Sequence, residues 1–329
     1  MTFVSRCQIV LQLAVALLSG SVTTALAVDP AELATFIRDF SRLTVARSET
    51  LAIMGGDDGF SSGFYTFYAD DSSLSITKFG GKGVIGKPHR TGVSGITWQP
   101  ILGGTVGYIS GKNEFKLTPL LAGNTETFYT IALGGEAGVK LSLTDEISIA
   151  PTIGLLYSYA GSSFSPRTAQ ASELKQLYAK QLFDWDAQTI SFSPAVEAKY
   201  EKVYAKDMKF TFSSRYAWFN TWEIVSSSRY LDGEGSSSSW ENKIDLDLRL
   251  PVKLLGFPLH TGGYVSLDLV GGNFREVIQT NAIYTFNGRL VLGDLGGLWN
   301  LDWLGLGLSY IKASTFYGYS VGLDVRLKF

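Results

Sequence analysis

One cysteine, Cys7, and two histidines, His89 and His260, are the only thiol or imidazole ligands in a chain of 329 residues. A disulfide framework and any Cys-ligated or multi-His metal site are thereby excluded, and no cofactor is expected. Charge is also scarce. Asp, Glu, Lys and Arg make up 18% of the residues, too few for a disordered chain. The formal net charge is -2, so there is no basic excess to hold nucleic acid. Long apolar runs are missing as well. After residue 27 nothing approaches the roughly 18 consecutive apolar residues of a spanning helix. What the chain does have is 45% hydrophobic residues, 13% aromatics and 36 glycines. That is the balance of a membrane protein without membrane helices.

The first 27 residues read as an export signal. Arg6 gives a short positive start, Ile9 to Leu18 a mostly apolar run, and Thr24-Ala25-Leu26-Ala27 a small-x-small cleavage site. Cleavage is expected between Ala27 and Val28. The alternative, an N-terminal membrane anchor, suffers from the shortness of the run. Cys7 lies too early to be a lipidated cleavage-site cysteine. The organisation expected is a signal over 1–27, a helical and linker segment over 28–61, and a barrel over 62–329.

The last residues carry the clearest pattern. Tyr317, Tyr319, Val321, Leu323, Val325, Leu327 and Phe329 alternate with Gly318, Ser320, Gly322, Asp324, Arg326 and Lys328. This is a period of two, which fits a strand and no helix. The pattern recurs. Ile244, Leu246, Leu248 and Leu250 alternate with Lys243, Asp245, Asp247 and Arg249. Tyr129, Ile131, Leu133, Ala137, Val139 and Leu141 oppose Thr130, Glu136 and Lys140. Phe210, Phe212, Tyr216 and Trp218 oppose Lys209, Thr211, Ser213 and Arg215. One face suits lipid and the other carries charge. A sheet in lipid must close, because open edges would leave amides and carbonyls without partners.

Twelve strands are expected, at 62–69, 73–80, 93–110, 125–142, 146–160, 188–201, 207–227, 240–252, 259–271, 280–292, 300–312 and 315–329. The fold class is therefore all-β, a single twelve-stranded antiparallel transmembrane barrel. An even number puts both ends of the barrel on the periplasmic side. Connections should then be short inside (143–145, 202–206, 253–258) and long outside (111–124, 161–187, 228–239). Tyr157, Tyr159, Trp222, Tyr310, Tyr317 and Tyr319 fall near outer strand ends, and Tyr200, Trp299 and Phe329 near inner ones. Amphipathic rings favour these two headgroup levels. Cross-strand aromatics in a soluble barrel are the alternative.

Ahead of the strands, Asp29-Pro30-Ala31-Glu32 reads as a helix start, with Asp29 as cap, Pro30 at the first turn and Glu32 completing a capping box. Leu33, Phe36, Ile37, Phe40 and Leu43 mark one face of a helix over 30–47, roughly 27 Å long at 1.5 Å per residue. That length matches a membrane crossing. A twelve-stranded lumen has room for one helix, so the helix is expected in the lumen, with the periplasmic rim as the alternative. In the lumen, Arg38, Arg42 and Arg47 would meet inward carboxylates, and Gly134, Gly138, Gly318 and Gly322 would leave space for it.

These features together resemble the translocator domain of autotransporters, over about residues 30–329. The chain is most similar to solitary outer-membrane autotransporter-like barrels that lack a passenger. The resemblance implies the outer membrane of a Gram-negative bacterium, with lipid and lipopolysaccharide as surroundings. It implies that the barrel-assembly machinery reads a terminal strand, here Tyr319, Val321, Leu323, Val325, Leu327 and Phe329. Only about 34 residues separate the cleavage site from the first expected strand, so export of a passenger in cis is not expected.

Catalysis was searched for among the few residues able to support it. A lipase site needs a serine beside a histidine, and an omptin-like site an Asp-His pair, both at the outer rim. His89 and His260 map to periplasmic turns or strand starts, the opposite end. Asp232-Gly233-Glu234-Gly235 reads as a plain acidic outer loop, or as a calcium contact on lipopolysaccharide. The remaining candidates are inward charges: Glu136, Lys140, Glu197, Arg215, Lys243, Asp245, Asp247, Arg249, Asp268, Asp324 and Arg326. Charges at membrane depth face water or each other. They form either a network bracing the lumen or a selectivity ring for a small hydrophilic solute. The expected function is accordingly a non-catalytic structural or pore role with the lumen plugged by the helix. A passive diffusion porin is the alternative.

Overall fold

The computed structural model describes residues 45–46, 49–50, 59–69, 72–93, 95–114, 124–180, 183–204, 208–228, 231, 233–293, 295 and 301–327. Twelve long strands form one cylinder: β1 (Gly59–Ala69), β2 (Ser72–Val84), β3 (Thr97–Glu114), β4 (Thr125–Ser142), β5 (Ile147–Ser165), β6 (Asp186–Tyr204), β7 (Met208–Ser226), β8 (Glu234–Leu254), β9 (Phe257–Gly271), β10 (Ala282–Gly293), β11 (Leu301–Ala313) and β12 (Tyr317–Leu327). Each pairs antiparallel with its neighbours in sequence, and β1 pairs with β12, Phe64 opposite Val321 and Gly63 opposite Gly322. The sheet is thus closed, and all twelve expected strands are present. β1 begins at Gly59, so the barrel starts slightly before the expected boundary at 62.

The period-two pattern dictates the two faces. Ile131, Leu133, Ile244, Leu246, Val265, Tyr319, Val321 and Leu323 are exposed on the outside. In a soluble protein that surface would drive aggregation; here it is what a bilayer wets. The aromatic belts follow the expected levels. Tyr68 stacks on Tyr317 at 5.5 Å, while Tyr310 lies tilted 5.3 Å from Tyr319 and Tyr129 6.0 Å from Tyr159 at the outer ends. At the inner level Tyr200 meets Phe210. Trp299 and Phe329 lie outside the described residues.

The connections depart from the expected lengths in places. The inner turns at 143–146 and 255–256 are short, and the outer connection 166–185 is long, as expected. The inner connection between β2 and β3 is also long, however, and carries a two-residue ribbon, His89–Arg90, paired with Trp98 and Thr97. The outer turns at 70–71 and 314–316 are very short. Two outer connections hold helices that periodicity did not announce. One is α1 (Ala169–Tyr178), capped by Thr168, whose hydroxyl accepts from the Ala171 amide at 3.1 Å; the other is α2 (Gly272–Ile278). Such short helices have too few turns to display an apolar stripe.

Before β1, Val45, Ala46, Glu49 and Thr50 are helical, so helix extends past the expected end at 47. Residues 30–44, with Arg38 and Arg42, lie outside the described residues, as does Arg47.

Candidate functional site

The inward rows of the strands make up the candidate site. In its inner half it is charged, and the charges pair. Arg215 on β7 meets Glu136 on β4 at 3.1 Å. Lys82 on β2 meets Glu197 on β6 at 2.5 Å. Neither pair joins adjacent strands, so both span part of the lumen rather than lie along its wall. They border a cavity of about 60 Å³ whose other wall is largely glycine, from Gly80 and Gly81 through Gly103 and Gly104 to Gly134 and Gly135.

A second group lies on β8 to β10. Arg289 holds Asp245 through two hydrogen bonds, at 2.8 and 2.7 Å, and approaches Asp247 at 3.9 Å. His260 Nδ1 lies 2.9 Å from Asp247 Oδ1. Asp324 adds a further carboxylate to the field on Arg289, and the Trp303 ring lies 5.7 Å from the guanidinium. Gly262 makes this possible. It stands in register between Asp247 on β8 and Arg289 on β10. With no side chain there, the guanidinium reaches across β9. A methyl group at Gly262 would come within 2.4 Å of the Leu246 carbonyl oxygen.

Of the inward residues expected from sequence, Glu136, Glu197, Arg215, Asp245 and Asp247 enter these pairs. Lys243 lies over the Tyr264 ring at 4.9 Å. Lys140 and Asp268 are half-buried, and Arg249 is exposed toward the inner rim. Arg326 stands opposite Trp303 in register. Three partners were not anticipated, Lys82, Arg289 and His260, nor was Lys78, which lines the cavity beside Lys82. Arg289 was readable, because Phe286 and Leu290 alternate with Asn287 and Arg289. Lys78 and Lys82 sit in a glycine-rich strand with little alternation to read. His260 depends on an irregularity between Pro258 and His260, which sets it opposite Arg249 and beside Asp247.

The outer half is different. Hydroxyls pair across strands, Ser158 with Thr189 at 2.6 Å and Ser191 with Thr221 at 2.7 Å. Trp185 packs with Ala160, Ala187 and Leu231. Glu49 sits against this layer. Its carboxylate accepts from Thr221 at 3.4 Å and from Ser237, both on inward rows near the outer ends of β7 and β8. Ala46 packs with Val270 and Phe274 at the outer end of β9. Burial pushes the Glu49 carboxyl up to about 7, against the opposing pull of its two hydroxyl donors. On the facing wall, Ile76 and Ile109 point inward yet are 1% exposed.

Two of the glycines expected to make room for a helix are covered by side chains of neighbouring strands. At Gly318 a methyl group would meet the Phe67 ring at 2.6 Å, and at Gly134 it would meet Leu156 at 2.6 Å. At Gly322 only the Ser62 carbonyl oxygen is near, at 3.2 Å.

Gly293 lies against the other nitrogen of the His260 ring, where even a methyl group would come within 2.9 Å of Nε2. His89 stacks on Trp98 at 4.9 Å in the inner connection. Among the described residues no three His, Cys, Asp or Glu side chains stand as a metal cluster. Asp232 lies outside the described residues, and Glu234 is exposed.

The model of the family described as the solitary outer membrane autotransporter beta-barrel domain matches residues 89–324. The transport unit of the autotransporter AIDA-I from Escherichia coli superposes with a TM-score of 0.51 at 8% identity, covering 88% of this chain and 98% of that one. The beta domain of the Bordetella autotransporter Brka gives 0.48 at 10% identity, covering 81% and 98%. The translocator domain of the autotransporter NalP from Neisseria meningitidis gives 0.47 at 11%, covering 88% and 96%. At such identities the likeness is one of fold, and AIDA-I alone of the three carries that argument. No curated protein matches the chain.

Proposed function

Because the chain belongs to the family of solitary outer-membrane autotransporter β-barrel domains, we propose that it is a non-catalytic barrel of a Gram-negative outer membrane whose own N-terminal helical segment closes the lumen. One observation carries the reading: Glu49 is fully buried against Thr221 and Ser237, which face inward at the outer mouth. A water-filled lumen would solvate that carboxylate instead of burying it. On the facing wall the barrel's own side chains fill space, with Ile76 and Ile109 packed against Phe128, Ala132 and Leu156. The Lys82–Glu197 and Arg215–Glu136 pairs narrow the inner half independently. No passenger enters this reading, and the segment acts on the barrel that carries it.

Planar-bilayer recordings test it. The full chain is expected to give small or rare openings. Deleting residues 30–50 should raise conductance, and adding Lys82→Met with Arg215→Met should raise it again. Heat-modifiable gel migration reports whether each variant is folded. Steady large openings from the full chain would support the diffusion-porin alternative, and a folded deletion variant that conducts no better would end the plug assignment.

A further inference from the structure

The inner rim of the barrel is not uniform. Around β5 to β7 its lysines are paired with carboxylates: Lys202 pairs with Glu146 at 3.1 Å, and Lys209 and Lys199 flank Glu201 at 3.0 and 3.7 Å. The β2–β3 connection is the opposite. Residues 72–113 contain no Asp or Glu at all, in a chain whose net charge is -2. At the tip of that hairpin Lys87, His89 and Arg90 are exposed, beside the exposed apolar side chains of Ile85 and Val93. Lys87 and Arg90 make no ion pair among the described residues.

A second inner turn repeats this chemistry. The apolar outward row of β8 runs through Val252 and Leu254 to the turn residue Leu255, which is 83% exposed, next to exposed Lys253. Leu255 and Gly256 form a two-residue hairpin turn in which both φ angles are positive, 54° and 87°. Such turns favour Asn, Asp or Gly at the first position, because a side chain pays for the left-handed conformation there. Leucine is a poor choice for the turn and a poor choice for water. It is a good choice for an acyl-chain boundary. In the ring of twelve strands the β2–β3 and β8–β9 turns lie diametrically opposite each other.

We infer that these two turns dock the barrel onto anionic phospholipid headgroups of the inner leaflet. Val93, Ile85, Leu254 and Leu255 enter the edge of the acyl region. Lys87, Arg90 and Lys253 reach the phosphates while their stems lie along lipid. Basic and apolar groups at one depth, next to strands already in lipid, fit a headgroup layer. A polar cell-wall polymer would leave the leucine and valine exposed to water. The inference rests on the periplasmic placement of these turns and not on the state of the lumen, so it stands or falls separately from the plug.

Single nitroxide labels test it, in a Cys7→Ser background. Val93→Cys and Leu255→Cys report the two turns, and Asp145→Cys on the rim of paired lysines serves as reference. The folded full chain is placed in phosphatidylcholine vesicles with or without phosphatidylglycerol. Labels at 93 and 255 should be more accessible to oxygen than to a water-soluble nickel chelate, and should shift deeper when phosphatidylglycerol is present. The label at 145 should stay aqueous. Lys87→Gln, Arg90→Gln and Lys253→Gln together should abolish the phosphatidylglycerol shift while heat-modifiable migration is retained. Aqueous labels at 93 and 255, or depths indifferent to phosphatidylglycerol, overturn the inference. So does protection of these labels only after peptidoglycan sacculi are added.

Discussion

The outer half of the lumen is rich in hydroxyl and apolar side chains and the inner half in paired charges, and the two halves stabilise the barrel in different ways. Inner-half charges pair across strands: Arg289 with Asp245, Arg215 with Glu136, Lys82 with Glu197. Outer-half hydroxyls pair too, but Thr221 and Ser237 also turn to a carboxylate on the segment ahead of the barrel. Charged pairs brace a wall because each partner is costly to strand in a desolvated interior. Hydroxyls hold a removable segment because each donor is cheap to return to water. On the proposed function, the inner layer is part of the barrel, while the outer layer is a seat for the segment ahead of it.

The sharpest break in that contrast is Arg289→Ala. It leaves Asp245 and Asp247 facing each other without their cation, and the expected loss is about 3–5 kcal/mol, as for a desolvated pair losing one member. Thermal melting of the folded band would measure it. A loss below roughly 1 kcal/mol would instead mean that water already screens this level, as at a surface pair.

Next comes the seat. Burial raises the Glu49 carboxyl from the ordinary carboxylate range near 4.5 to about 7, so the seated state binds a proton that the released state gives up between those values. The seated segment is then most stable below about pH 4.5 and loses stability as pH rises through 7. A Val45→Cys label should become more reactive to an externally added thiol reagent across that window. Glu49→Gln should flatten the profile, and a profile that steepens or reverses would refute the seat.

The smallest effect belongs to the inner rim. Lys202 and Glu146 are both well exposed at 3.1 Å, so Lys202→Ala should cause no measurable loss in the same melting experiment. A measurable loss would show that the rim, too, is part of the brace.

Alternation made the fold legible. Strands such as β4, β8 and β12 declare themselves because lipid on one side and water or charge on the other force a strict period of two. The same rule placed Glu136, Glu197, Arg215, Asp245 and Asp247 inward without a structure. It did not supply their partners. Which residues meet depends on how far a side chain reaches across missing ones, as Arg289 does over Gly262, and on irregularities such as that before His260. Neither leaves a local trace. Glu49 was missed because helical periodicity was judged to end at 47, and a lone carboxylate on a helix ordinarily faces solvent.

The closing seam between β1 and β12 has a consequence for how the chain is made. Its register joins Tyr65 to Ser320 and Tyr68 to Tyr317, partners that lie about 250 residues apart. Loop-closure entropy grows only by about 0.6 kcal/mol per doubling of length, so the distance itself is tolerable. The order of events is not free, however. Eleven of the twelve strand pairings join neighbours in sequence, but the ring cannot shut until β12 reaches β1. Until then two edges carry unpaired amides that a bilayer will not accept. Closure and insertion are therefore coupled, and the chain needs shelter from both water and bilayer until β12 is in place.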